Sequence, residues 1–188
     1  MRAWINRTRY KRARANNILM KQYIAFGQGW EKELGDFYKK FYQDVLDKHG
    51  FDLYEKQEGP GMGALIMFVG HGIIVRIIND RSQFFVSIGN EIGLRHWWDI
   101  EFIMAYFKII DDKISLTDTT SRKKILCDSF NWANYAENVK YFSTHFDRIK
   151  QLFVPDNFEV SKVILNKVAD ELSKYRQEKW DNKNKKPL

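Results

Sequence analysis

Apolar residues recur at helical spacing in the segment that precedes the first glycine-rich region of the chain. Five of them stand four, three, four and four positions apart: Trp30, Leu34, Phe37, Phe41 and Val45. Residues at these intervals fall on one face of an α-helix. The pattern predicts a helix from about Trp30 to His49, and Gly50 is a favourable residue for ending it.

Four short segments with strand character follow this helix. The first opens near Phe51, and the others cover residues 64–69, 73–78 and 83–88. Glycine-rich or polar turns separate them, and residues 73–78 are rich in β-branched side chains, which favour strands. Parallel neighbours need a crossover of about a dozen residues or more, so these short connections predict antiparallel hairpins.

Helical spacing of apolar residues returns after Gly93. Residues 97–110 have the composition of a largely buried helix. Residues 132–153 carry large apolar side chains at alternating intervals of three and four, which is the clearest helical pattern in the chain. Pro155 follows, and proline is a common stop for a helix.

A last helix is predicted after Pro155, with Asp156 or Asn157 as its N-cap. Its expected apolar stripe comprises Val160, Ile164, Val168, Leu172 and Tyr175. Strands in the first half and helices around them indicate an α+β fold. We predict a small antiparallel sheet of about four strands that packs with about four α-helices.

Length and composition indicate a folded domain with additional segments at both ends. The chain has 188 residues, of which 44% are hydrophobic and 15% aromatic, so it has enough apolar surface for a core. We predict a single domain at 22–176, a basic and disordered extension at 1–21, and a basic tail at 177–188. Met20 precedes a segment typical of a protein start, which suggests that residues 1–19 are not native.

The net charge of +7 is distributed unevenly along the chain. Residues 1–21 hold seven Lys or Arg and no acid, and residues 174–188 hold six Lys or Arg and two acids. The remaining residues, 22–173, hold 18 bases and 22 acids, a balance of −4. The basic character therefore belongs to the ends, which weakens the usual inference from a high pI to nucleic-acid binding.

The cysteine content and the hydropathy pattern indicate a cytoplasmic protein. Cys127 is the only cysteine, so the chain has no internal disulfide, and a reducing compartment is the natural setting. A small buried apolar role suits this thiol better than a nucleophilic one. No apolar run approaches the roughly 18 residues that span a bilayer, so we expect no membrane association.

No set of residues in the sequence has the spacing of an active site. The four histidines lack the i, i+4 spacing of a helical metal pair. His71 stands between two glycines, where it suits a general base, although a solvent-exposed turn residue is the favoured interpretation. The glycines at 59, 61 and 63 precede a strand rather than a helix, which disfavours a phosphate loop. We therefore expect no catalytic residues, no metal and no cofactor.

Two segments carry aromatic residues in positions suited to binding. Trp97 and Trp98 are adjacent; Trp97 fits the predicted core, so Trp98 is a candidate interface residue, with partial burial under a loop as the alternative. The N-terminal segment combines aromatic rings with four arginines that suit single-stranded nucleic acid: Arg7, Arg9, Arg12 and Arg14. A solvated tail explains this segment equally well.

Residues 72–89, with an Asn79-Asp80-Arg81 turn, are followed by a Trp-Asp segment at 97–101 and a late aromatic helix end at 146–153. This combination resembles small bacterial immunity proteins that neutralise toxins of polymorphic or contact-dependent growth inhibition systems. The resemblance covers about a third of the chain. It implies a protein that performs no chemistry and instead binds one cognate toxin domain, blocking its active site or its substrate path.

The resemblance gives the acidic balance of residues 22–173 a meaning, because many toxins of such systems are nucleases with basic surfaces. The candidate partner-binding residues are the acids outside the predicted core stripes together with one tryptophan: Asp44, Asp47, Glu55, Glu58, Trp98, Asp111 and Asp112. An alternative interpretation is a nucleic-acid-associated accessory protein of phage or mobile-element origin that uses its basic tails. A small enzyme around His71 ranks last.

Overall fold

The structure is a computed structural model that describes residues 28–59, 63–90, 96–113 and 134–184. The chain forms two compact units, an N-terminal unit of residues 1–92 and a C-terminal unit of residues 93–188. The described residues contain five strands and six helices, which confirms the α+β class with slightly more elements than the pattern indicated. The single domain at 22–176 stays a prediction.

The N-terminal unit begins with two consecutive helices where the pattern indicated one. α1 spans Trp30–Phe41 and α2 spans Gln43–Lys48. Tyr42 separates them with a φ of −115° and a ψ of −20°, yet its N–H still bonds to the carbonyl of Tyr38 at 2.8 Å. Gly50 adopts a φ of 68° after α2, a conformation that glycine accepts without steric cost and that commonly ends a helix.

Four antiparallel strands follow and form a meander. Their bounds are β1 Asp52–Gly59, β2 Gly63–Gly70, β3 Ile73–Asp80 and β4 Gln83–Asn90. Each strand pairs with the next one along the chain, so the predicted hairpins are confirmed. The turns lie where glycine or polar residues interrupt the apolar runs.

One face of this sheet packs against α1. Residues paired across antiparallel strands point to the same face, and Phe68 pairs with Val75, which pairs with Ile88. The ring of Tyr38 stacks on Phe68 with centroids 4.8 Å apart. Residues of this face form the core of the N-terminal unit.

The two hairpin turns at either end of β3 use residues with positive φ. His71 and Gly72 have φ of 56° and 80°, and Arg81 and Ser82 have φ of 51° and 64°. Two consecutive residues with positive φ are typical of the type I′ turn, which matches the twist of the strands. At Arg81 and Ser82 no glycine is present, so this turn requires support from neighbouring contacts.

Asn79 provides that support. Its side chain is completely buried. Its Oδ1 accepts a hydrogen bond from the N–H of Ser82 at 2.9 Å, and its Nδ2 donates to the carbonyl of Trp30 at 3.0 Å. Nδ2 also lies 3.2 Å from a carboxylate oxygen of Glu33. One amide therefore joins the β3–β4 turn to the first turn of α1.

The C-terminal unit contains one short strand and four helices among its described residues. They are β5 Trp97–Asp99, α3 Ile100–Asp111, α4 Tyr135–Thr144, α5 Phe146–Phe153 and α6 Pro155–Asn184. The helix predicted at 97–110 therefore begins three residues later, after a strand. The pattern predicted one helix over residues 132–153, whereas the described part of this segment is divided at His145 between α4 and α5.

The predicted apolar stripe of α6 is wrong in its first half. Val160 is 65% exposed, whereas the buried positions are Ser161, Leu165, Val168 and Leu172. Repeated intervals of four residues, as in the first four positions of the predicted stripe, rotate by about 40° per step around an α-helix. The buried positions instead follow intervals of four, three and four, which keep them on one face.

α6 is the longest helix among the described residues, and the residues that follow its buried positions are largely polar. It continues to Asn184, although a basic tail was expected from residue 177. Among the residues of α6 whose burial the structure describes, the last buried one is Leu172. Among the described residues, no helix combines the length and the apolar character that crossing a membrane requires.

Candidate protein-binding surfaces

Asp44 and Asp47 form an acidic pair on α2. Both are exposed, and three residues of separation places them on the same side of a helix. Their negative charge reaches the phenol of Tyr38. Burial raises the pKa of Tyr38 well above its ordinary range, and the charges of Asp47 and Asp44 raise it further. The two carboxylates are therefore close to one another and to the hydroxyl of a single tyrosine.

β1 presents a tyrosine beside a carboxylate. The register with β2 shifts between Leu53 and Glu55, which leaves Tyr54 in a bulge with 45% of its surface exposed. A bulge commonly redirects a side chain in this way. Glu55 is half-buried and accepts a hydrogen bond from Gln57. Glu58 pairs with Ala64 in the strand register, and its side chain lies outside the described structure.

The strand register separates Glu55 from the sheet face that Tyr38 contacts. Tyr38, whose phenol lies near the acidic pair, stacks on Phe68 of β2. Phe68 pairs with Leu53 of β1, the residue next to the bulge. Glu55 instead pairs with Met67, whose side chain points to the opposite face of the sheet. We call the exposed pair of Asp44 and Asp47 the acidic surface.

The nearest lysine of β1 is directed toward α1. Lys56 forms an ion pair with Glu31, and Glu31 is only 6% exposed. A carboxylate this well buried requires a cationic partner because desolvation otherwise destabilises its charged form. The positive charge of Lys56 therefore compensates a carboxylate of α1.

In the C-terminal unit, Asp111 is held by an arginine that the sequence analysis did not select. Arg148 of α5 donates two parallel hydrogen bonds to the two oxygens of Asp111, at 2.9 and 2.8 Å. The hydrogen bond from Arg148 keeps the pKa of Asp111 below its ordinary value. Asp112 is exposed and caps the C-terminal end of α3. Asp111 therefore links α3 to α5 and is not a simple surface acid.

Aromatic rings surround this ion pair. The guanidinium carbon of Arg148 lies 4.3 Å from the ring centre of Phe107, a geometry that stabilises a cation. The rings of Tyr141 and His145 are 4.2 Å apart. Burial raises the pKa of Tyr141 to about 12, and the positive charge of Arg148 offsets only part of this increase. This phenol therefore keeps its proton at neutral pH.

Trp98 is buried, so the prediction of an exposed aromatic anchor at this position is wrong. Its side chain is 2% exposed, and its indole N–H donates to the Asn166 side chain at 3.0 Å. The ring lies 5.9 Å from Phe153 and 6.2 Å from Phe158. Trp97 is the more exposed member of the pair. The short strand β5 explains the exchange, because successive residues of a strand point to opposite faces.

His71 is a turn residue with a fixed ring. Its Nε2 lies 2.6 Å from the carbonyl oxygen of His49, and a carbonyl accepts hydrogen bonds only, so this nitrogen carries a proton. The ring also meets Phe51 edge-on. Within the described residues, no group of three or more His, Cys, Asp or Glu has the geometry of a metal site.

Several predicted residues lie outside the described structure, namely Cys127 and the four N-terminal arginines Arg7, Arg9, Arg12 and Arg14. Tyr54 and Arg148 were not among the residues predicted from sequence. The only sequence signal for Tyr54 is the break in the strand alternation beside Leu53. No sequence signal marks Arg148. No protein-family model, no curated protein and no solved structure matches the chain.

Proposed function

We propose that the protein is an immunity protein that binds a cognate toxin domain and blocks its active site or its substrate path. The acidic surface of the N-terminal unit is the observation that carries this proposal. It consists of two exposed carboxylates on one side of α2. Elsewhere in the same unit Tyr54 is 45% exposed, and tyrosine is among the residues that most often dominate binding energy in protein interfaces.

Charge complementarity supports a basic partner. Residues 22–173 have 18 bases and 22 acids, and the acids Asp44 and Asp47 are concentrated on one helix. A toxin that cleaves nucleic acid needs a basic surface for phosphate groups. An acidic inhibitor gains association rate and specificity against such a surface, and it competes directly with the substrate. A nuclease is therefore the toxin class that the acidic surface fits.

Binding and protection assays with charge-reversed variants test this proposal. A candidate toxin domain, sought in the gene immediately upstream, is expressed in cells with the wild-type chain or with the double variant Asp44→Lys/Asp47→Lys. We expect wild type to protect the cells and the variant to bind the purified toxin domain about tenfold or more weakly, with slower association. Asp147→Lys/Asp170→Lys is the matched control, because both residues are exposed acids of the C-terminal unit.

The outcomes test the immunity function and the location of the toxin-binding site separately. Failure of the wild-type chain both to protect and to bind contradicts the immunity function. If wild type protects and both double variants bind equally well, the function stands and the acidic surface is not the binding site. A variant that folds normally by circular dichroism but has lost protection supports both.

The alternative function remains a nucleic-acid-associated accessory role, and it depends on the basic ends. Residues 1–21 carry seven Lys or Arg without an acid, a composition suited to phosphate contacts. The arginines concerned are those at positions 7, 9, 12 and 14. Because these charges are separate from the acidic surface in sequence, variants can test the two functions independently.

A further inference from the structure

α6 exposes two valines on the side opposite its buried face. Val160 and Val163 are 65% and 67% exposed, whereas Leu165 and Val168 are completely buried. Val163 and Leu165 are separated by about 200° around the helix axis. The valines therefore face away from the core of the C-terminal unit.

Valine is a poor choice for a solvent-facing helical position. Its β-branched side chain loses rotamer freedom in a helix, which makes it less favourable than alanine, lysine or glutamate. Exposure to water adds no burial energy that would offset this loss. Single exposed apolar residues are common on protein surfaces, but two on adjacent turns of one helix form a continuous apolar strip.

Charged residues extend this strip in a regular pattern. Asp156, Val160, Val163 and Lys167 stand four, three and four positions apart, which is the spacing of a helix–helix seam. Asp156 and Lys167 are exposed, and neither forms an ion pair with another residue of the described structure. The strip thus has an acid at one end, two valines in the middle and a base at the other end.

We infer that this strip is a self-association surface, on which α6 of one copy packs antiparallel against α6 of a second copy. In this register Val160 of each copy lies against Val163 of the other. Asp156 of each copy then lies against Lys167 of the other. A two-fold axis repeats both contacts, so the surface is complementary to itself, as a symmetric dimer requires.

Other arrangements of the same two helices are less favourable. A parallel pairing places Asp156 against its own copy and Lys167 against its own copy, and like charges in contact repel. Shifting the antiparallel register by one step of the strip places Val160 against Lys167 in one direction or Asp156 against Val163 in the other, in each case an apolar side chain against a charged one. Only the register described above pairs apolar with apolar and acid with base.

The predicted dimer is weak because the contact is short. The overlapping part of the two helices runs from Pro155 to about Val168, a length of about 20 Å at the helical rise per residue. Such a contact buries less surface than the roughly 1,200 Å² typical of stable complexes. The dimer is therefore expected to depend on protein concentration.

Sedimentation velocity of the full chain over a series of concentrations tests the inference. We expect the mass of wild type to rise from 22.5 kDa toward twice that value. Val163→Glu places a charge in the centre of the seam and should remain monomeric. Ile110→Glu is the matched control, because Ile110 is an exposed apolar residue of α3, at 47% exposure, and this variant should dimerise like wild type.

Charge exchange tests the antiparallel register. Asp156→Lys alone and Lys167→Asp alone should each weaken the dimer by a few-fold to about tenfold, because exposed ion pairs are weak and symmetry repeats them. The combined variant restores opposite charges and should return the dissociation constant to the wild-type value. Circular dichroism of each variant verifies the helix, because Asp156 also favours the positive N-terminal end of α6.

Three results would overturn the inference. One is a wild-type chain that sediments as a monomer at every concentration. If Val163→Glu also impairs toxin binding in that case, the strip binds a different partner. The second is a dimer that Val163→Glu leaves intact. The third is a combined charge variant that dimerises no better than the single variants, which would rule out the antiparallel register.

Discussion

At the scale of single residues, Asn79 holds the β3–β4 turn of the N-terminal unit to its first helix. It is completely buried and bonds to the N–H of Ser82, the carbonyl of Trp30 and the carboxylate of Glu33. The amide supplies a donor and an acceptor at one position, which neither aspartate nor leucine does. It therefore supports a turn that lacks the glycine its positive φ values favour.

Replacing Asn79 with alanine should destabilise the protein by about 2 kcal/mol, because three hydrogen bonds are lost and buried polar groups lose their partners. Urea unfolding followed by circular dichroism measures the change. Asn157→Ala is the control, since Asn157 is exposed and donates one hydrogen bond to the carbonyl of Gln151; it should change the unfolding free energy by about 0.5 kcal/mol or less. Equal losses in the two variants would contradict the assigned role of Asn79.

At the scale of elements, the pair of Asp111 and Arg148 fastens the end of α3 to α5. The two parallel hydrogen bonds fix the relative orientation and the distance of the two side chains. The guanidinium of Arg148 also lies over the ring of Phe107. The aromatic pair of Tyr141 and His145 connects the end of α4 to the same place. Three helices thus meet around one ion pair.

The pair predicts a defined response to acid. The ordinary pKa of an aspartate is about 3.9, and the hydrogen bond from Arg148 lowers the pKa of Asp111 in the folded protein. A lowered folded-state pKa adds stability above the unfolded value, and this stability is lost as the pH falls through the folded value. Asp111→Asn should therefore have a lower Tm than wild type at neutral pH, with a difference that shrinks in acid. Thermal unfolding at a series of pH values measures this.

Asp112→Asn is the matched control for this measurement, because it removes a neighbouring exposed carboxylate that does not contact Arg148 in the described structure. Its difference in Tm from wild type should be smaller at neutral pH. A constant difference between Asp111→Asn and wild type down to acidic pH would contradict the role assigned to the ion pair.

The strands were predictable from sequence and some helix boundaries were not, for a physical reason. Residues 73–78 end at polar turn residues, and a turn leaves a local signal that the sequence carries. His145 leaves no such signal, because the apolar spacing continues across it from α4 to α5. Likewise, three residues around Trp98 are too few to distinguish the period of a strand from that of a helix.

The candidate surface residues also include some that the sequence predicts and some that it does not. The acids Asp44 and Asp47 were selected from sequence, because a polar residue outside an apolar stripe is expected on the surface. The partner of Asp111 was not, since Arg148 is 37 positions away and the pairing depends on how the helices pack. Sequence periodicity identifies exposed residues but does not show which of them meet.

At the scale of the whole molecule, charge is divided between the ends and the centre of the chain. The overall charge of +7 arises from the terminal segments, while residues 22–173 carry a balance of −4. A basic segment and an acidic surface favour different partners, since phosphate groups attract the first and a basic protein attracts the second. Measurements on the unmodified chain therefore mix two effects that opposite changes in charge can separate.

Neutralising the N-terminal arginines in the full chain separates them. The variant changes four residues to glutamine: Arg7, Arg9, Arg12 and Arg14. Each lost phosphate contact should reduce the slope of log K against log salt for duplex DNA by about 0.9, so binding to DNA becomes weaker and less dependent on salt. Protection against the toxin should remain at the wild-type level, because the acidic surface is unchanged.

The matched control removes four exposed lysines of the described units: Lys32, Lys113, Lys140 and Lys174. If this control weakens DNA binding as strongly as the arginine variant, net charge rather than the N-terminal segment determines it. If the arginine variant instead abolishes protection while the control does not, the basic segment takes part in the main function, and the proposal that the acidic surface alone binds the toxin is wrong.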